Sequence, residues 1–180
     1  MLMHKLKQFI AAYKENTAVR FLLTAVFLYF IWELNYNLWI EKSGFSYWLC
    51  SILGQSGAKL LSVLGYNSTW VFPSIYLNNL KAINIGVPCN GLEFMGLFLC
   101  FVLAFPAKIK SKVWFLPLGI FLIHLLNMFR VLFLVLNFYF YRSTFDFNHH
   151  ITFTVVVYGL ILLMCFLWAR KQKLFIHVHP

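Results

Sequence analysis

The chain has 180 residues, of which 62% are hydrophobic and 20% aromatic, and its mean hydropathy is +0.77. That composition excludes an ordinary soluble domain and points to one polytopic membrane domain over residues 1–180. A net charge of +10 would suit nucleic acid, but ten of the fifteen Lys/Arg flank apolar stretches in three clusters, so the expected partner is a lipid bilayer and not nucleic acid.

Residues 1–20 carry Lys5, Lys7, Lys14 and Arg20, a basic cytoplasmic lead-in. Residues 21–40 form the first span. It reads as a signal anchor, because the apolar run is long and no small-x-small site follows it. Glu33, Asn35 and Asn37 lie near its outer end among Trp32, Tyr36 and Trp39, as aromatics do at a membrane interface.

Residues 45–65 show helical periodicity. Ser51, Gln55, Lys59 and Ser62 fall on one face; Leu49, Ile52, Leu53, Leu60, Val63 and Leu64 fall on the other. The expectation is an amphipathic helix on the outer membrane surface. A crossing here would put the later AKIKSK loop outside, against the charge rule. Residues 66–88 switch to the short β-type runs TWVF, SIYL and AINI, separated by Pro73 and by Asn78-Asn79. The last two runs read as a hairpin, so 45–88 is an outer segment of surface helix and hairpin.

Residues 90–105 are the second span, short by the usual count. Asn90 stands three before Glu93, a capping-box-like start with Asn as the cap. Pro106 ends this span, and Lys108, Lys110 and Lys112 mark the next loop as cytoplasmic. The third span, 113–137, runs outward. An aromatic connection, 138–148, leads to the fourth span, 149–169, which returns to a basic RKQK. His177 and His179 fall in an expected loose tail. The expected fold class is an all-α polytopic membrane protein: four transmembrane helices plus the outer helix and small hairpin. Both termini are then cytoplasmic, in a cytoplasmic (inner) membrane. Ten cations fall inside and four outside (Lys42, Lys59, Lys81 and Arg142), with Arg130 inside a span.

The third span is the chemically unusual one. His124, Asn127 and Arg130 follow each other at intervals of three, so they share one slowly winding helix stripe. A guanidinium at that depth must face protein or water, and such a group is a functional candidate. Arg130 is seven residues from the outer end of the span, roughly 10 Å down. Cys89 precedes the outer start of the second span, and His149 and His150 open the fourth. Thiol, imidazole and guanidinium therefore share one depth.

Such a trio suits acyl transfer. A thiol at a helix N-terminus has its thiolate favoured, a histidine exchanges protons with thiol and leaving amine, and an arginine steadies an oxyanion. Glu93, one turn below Cys89, is placed either to pair with Arg130 or to cap its own helix; Glu33 is another candidate partner. His124 reads as a packed histidine. Cys100 and Cys165 fall in apolar spans. A Cys50–Cys89 disulfide is chemically allowed in an oxidising compartment, though nothing in the spacing favours it. No Cys/His spacing points to a metal, and no cofactor is expected.

Cys89-Asn90-Gly91, Asn127-Met128-Phe129-Arg130 and His149-His150, in this order and topology over roughly residues 85–165, resemble the exosortase/archaeosortase family. The resemblance implies a membrane-embedded cysteine transpeptidase or protease. Its substrates would be exported proteins with a C-terminal recognition motif, an apolar helix and a basic tail. It assigns catalysis to Cys89, Arg130 and a histidine, with Gly91 and Asn127 in support; Glu93 joins them as a supporting candidate by its position alone. Two departures stand out. The chain has fewer spans than many members. The glycine usual four residues after the histidine is also absent: Phe153 follows His149 and Thr154 follows His150. His150 is the first choice because Tyr158 lies eight residues on, and His149 is the alternative. The rival readings are a non-enzymatic membrane subunit with a structural Arg130–Glu93 pair, and a small transporter using Glu33, Glu93 and Arg130.

Overall fold

A computed structural model of the chain describes residues 16–178, with side chains as far as residue 172. Lys5, Lys7, Lys14 and His179 lie outside the described residues, as do the side chains of Lys173 and His177.

Helix α1 (Thr17–Asn35) starts at Asn16, whose side-chain oxygen accepts from the backbone N–H groups of Ala18 and Val19. It runs on as a π-helical turn, Tyr36–Ile40. Helix α2 (Gly44–Val63) buries Ser46, Leu49, Cys50, Leu53, Gly54, Gly57, Ala58 and Leu61, a stripe at helical spacing. Gln55, Lys59 and Ser62 are exposed, as their periodicity predicts, but so are Val63 and Leu64 of the expected apolar face. The buried stripe keeps Leu49 and Leu53 of that apolar face and extends over the glycines, because Gly54 and Gly57 let the helix press onto Trp70, Ile75 and Val131.

The strands are β1 (Ser68–Val71), β2 (Ser74–Leu77) and β3 (Leu80–Asn84), an antiparallel meander in the order β1-β2-β3. The hairpin is therefore one strand larger than expected. Its turn is the expected Asn78-Asn79, both with positive φ (51° and 65°), which asparagine tolerates and a two-residue hairpin turn requires. The Asn78 side-chain amide donates to the Tyr139 hydroxyl over 3.0 Å and fastens the turn to the next long helix.

Helix α3 (Leu92–Ala104) is followed by α4 (Ile109–Phe140) and α5 (Phe153–Val178), so His177 belongs to a helical backbone and not to a loose tail. Among the described residues, three stretches are long and apolar enough to cross a membrane: Thr17–Ile40, Ile109–Phe140 and Arg142–Gln172. This corrects the expected four. Helix α3 has 13 residues, about 20 Å at ~1.5 Å per residue against a hydrocarbon core of about 30 Å. It begins at Gly91, with φ +85°, and ends where Phe105 turns extended before Pro106.

Helix α4 runs through two apolar clusters. Its first half packs Phe115 and Ile123 with Phe98, Val102, Ile161 and Trp168 of α3 and α5. Its second half packs Val131, Leu134 and Val135 with Leu53 and Leu61 of α2 and with Ile75, Leu77 and Ile83 of the sheet. Asn127 and Arg130 sit where one cluster gives way to the other.

Candidate active site

Pro88 fits the first turn of a short 3-10 segment, Val87–Cys89, where a missing N–H costs nothing. Gly91 follows in the left-handed region, and α3 departs from there. The tight turn Cys89-Asn90-Gly91 is held from two sides. The Asn127 amide, fully buried on α4, donates to the Cys89 carbonyl oxygen over 2.8 Å. Asn90, also buried, accepts from the Leu92 backbone N–H at 2.9 Å, and its amide lies 3.5 Å from the Ser46 carbonyl oxygen of α2. Asn90 is thus the side-chain cap expected, although the backbone cap position falls one residue later, at Gly91.

Beside this turn lies a cavity of about 230 Å³. Cys89, Arg130 and His149 all line it, with Val131, Leu134, Phe145 and residues Ala82 to Ile85 completing the walls. The three groups come from the turn before α3, from the middle of α4 and from the turn before α5. Cys89 is half-buried, and Arg130 is 8% exposed. Among the described residues, Arg130 Nε and Asn127 Oδ1 are buried without hydrogen-bond partners. The mostly apolar walls lower the local dielectric, so the guanidinium acts strongly on any negative charge formed inside.

The two histidines separate. They occupy a π-helical turn, Asn148–Thr152, of the kind that often marks functional positions. His149 is half-buried, stacks on Phe145 (centroids 5.7 Å apart, 10° between planes) and lines the cavity. His150 is exposed, is not among the lining residues, and has Nδ1 at 3.0 Å from the Asp146 carbonyl oxygen. Tyr158, whose spacing pointed to His150, packs its ring edge-on against Phe94 at 4.9 Å.

Glu93 is exposed in the first turn of α3, where a negative charge suits the helix dipole. Its charged neighbours are Glu33 and Glu41, so the structure does not bring it to Arg130. The rival reading of a non-enzymatic subunit with a structural Arg130–Glu93 pair loses that contact. His124 is half-buried on α4 and outside the cavity. Cys50 and Cys89 are both free thiols, so the disulfide allowed by the sequence is not formed. Asn84 and Phe145 were not foreseen as wall residues, and the tie from Asn90 to α2 was not foreseen either. No motif marks them, since each depends on which loop folds over which helix.

No curated protein and no solved structure matches the chain. A family model described as transmembrane exosortase (Exosortase_EpsH) matches residues 9–167. With the match covering nearly the whole chain and its apolar helices meeting around a cysteine, an arginine and a histidine, this protein belongs to the transmembrane exosortase family.

Proposed function

We propose that the protein is a membrane-embedded cysteine transpeptidase or protease that cuts C-terminal sorting signals of exported proteins through a thioester. The observation that carries this reading is the shared cavity of Cys89, Arg130 and His149 in a chain of the exosortase family. The Cys89 sulfur attacks the scissile carbonyl carbon, and its proton passes to the His149 ring. Arg130 faces the oxyanion that forms. Collapse breaks the C–N bond, His149 protonates the leaving amine, and the acyl group stays on sulfur. Water or an acceptor amine then attacks, gives its proton to His149, and expels the Cys89 thiolate, which takes that proton back. His149 is preferred to His150 because it lines the cavity and its neighbour does not.

The substrates are exported proteins ending in a recognition motif, an apolar helix and a basic tail. The site opens toward the outer face of an inner membrane. Exposed Phe45, Tyr47 and Trp48 hold the start of α2 at the outer interface.

The test compares cells carrying the wild-type chain with cells carrying Cys89→Ala at equal abundance, by mass spectrometry of C-terminal peptides from envelope proteins. The variant accumulates exported proteins with untrimmed apolar C-termini. Identical C-termini in the two strains would overturn the reading.

A further inference from the structure

Among the described residues, the sheet order leaves β3 with a hydrogen-bonded ladder on one side only. Its other edge does not face open solvent. Ala82, Ile83, Asn84 and Ile85, four residues in succession, all line the Cys89 cavity. Side chains alternate between the two faces of a strand, so a cavity resting on one face would meet every second residue. Ala82 is an extra residue that interrupts the alternation, but past it Ile83, Asn84 and Ile85 still line the cavity one after another, so the cavity meets the chain edge-on, along its backbone.

A second hollow of about 420 Å³ continues along the same edge, bounded by Leu80 and Ala82 on one side and by Phe138, Tyr139 and Arg142 on the other. The two hollows share Ala82, and together they follow β3 from its turn to Cys89 with α4 as the facing wall. The strand also carries an extra residue at Ala82, where its pairing with β2 shifts register. Bulges of this kind occur beside active sites and end or redirect pairing.

We propose that the substrate segment preceding the scissile bond binds as a fourth strand on the free edge of β3, its backbone delivering the carbonyl to Cys89. This deepens the reading of Cys89 as nucleophile and rests on it. Strand addition draws affinity from main-chain hydrogen bonds, which any extended peptide offers, and leaves selectivity to side-chain pockets. Exposed Lys81 on the same strand opposes edge-to-edge pairing between copies of the chain. The direction follows from α4. Arg130 lies deeper along that helix than Tyr139, so the Cys89 end of the trough is the deep end. A substrate whose apolar helix follows its cut site enters from the Leu80 end and runs parallel to β3.

The experiment uses an exported protein that accumulates uncut in Cys89→Ala cells. Each of the residues just before its cut is replaced in turn by proline and by alanine, and cutting by the wild-type, full-length enzyme is followed by pulse-chase. In an added strand, alternate residues point their N–H at β3 and the rest point away. Proline removes that N–H, so cutting relative to the alanine control falls about tenfold at every second position and little at those between. A proline effect that is uniform, confined to one position or absent, with alanine variants cut normally, overturns strand addition while leaving Cys89 as nucleophile. If no protein accumulates uncut, the nucleophile itself is misassigned and strand addition falls with it.

Discussion

The side-chain amide of Asn127 donates to the carbonyl oxygen of Cys89 over 2.8 Å, and this bond joins the two halves of the site. Asn127 stands one helical step before Arg130, so the contact that fixes the thiol's backbone also fixes the guanidinium's distance from it. Replacing Asn127 by Ala leaves the Cys89 carbonyl unpaired beside a new void, at a cost of about 1–3 kcal/mol. The expected outcome is a lower melting temperature in detergent together with a processing rate reduced about tenfold. A loss of stability with full processing would show that the bond serves only the fold.

Gly91 tests the same joint from the other side. Its φ is +85°, and a Cβ there would come within 3.0 Å of Asn127 Nδ2. Gly91→Ala therefore carries a left-handed backbone penalty of about 1–2 kcal/mol and pushes Asn127 off its acceptor. Because both substitutions break one contact, the double variant with Asn127→Ala costs less than the sum of the single ones in thermal melts. Strict additivity would mean that the two residues act separately.

His149 and His150 are separated by their surroundings, and kinetics separates them too. His149→Ala lowers processing about 100-fold or more, the loss expected of a general acid–base. His150→Ala changes it only slightly, since His150 is exposed and outside the cavity. The opposite pattern would return the role to His150.

Cys50 serves as an internal comparison for Cys89. It is 1% exposed, and burial pushes its thiol pKa up, with the neighbouring Cys89 thiol adding to the effect. A raised pKa means less thiolate at a given pH, so Cys50 reacts appreciably only above the ordinary thiol range. Near neutral pH a water-soluble maleimide modifies Cys89 first, and Cys50 gains only as the pH rises. Equal rates, measured by peptide mass spectrometry, would contradict the described burial.

Much of this was legible in residue pattern. Arg130 announced itself because a cation in an apolar run has few tolerable surroundings, and the Asn78-Asn79 turn because few residues accept its backbone angles. The short length of α3 was visible in Gly91 and Pro106, yet hydropathy alone made it count as a span. The buried face of α2 was legible only in Leu49 and Leu53, because pattern weighs leucine over glycine, whereas Gly54 and Gly57 decide how closely the sheet approaches. The choice between His149 and His150 was illegible for a related reason. The π-helical turn Asn148–Thr152 shifts which side chain points inward, and nothing in the local sequence marks that shift.

The central claim is that Cys89 carries the acyl group while Arg130 and His149 serve the same carbonyl. Its most direct test is to isolate the full-length enzyme from cells exporting its substrates and examine the peptide bearing Cys89 by mass spectrometry, with and without hydroxylamine. The account predicts a substrate-derived mass on Cys89 that hydroxylamine removes. That mass falls sharply in His149→Ala, which lacks the group that takes the thiol proton and protonates the leaving amine, and is absent in Arg130→Ala. Undiminished processing with no thioester on Cys89, or continued processing in Cys89→Ala, would contradict it.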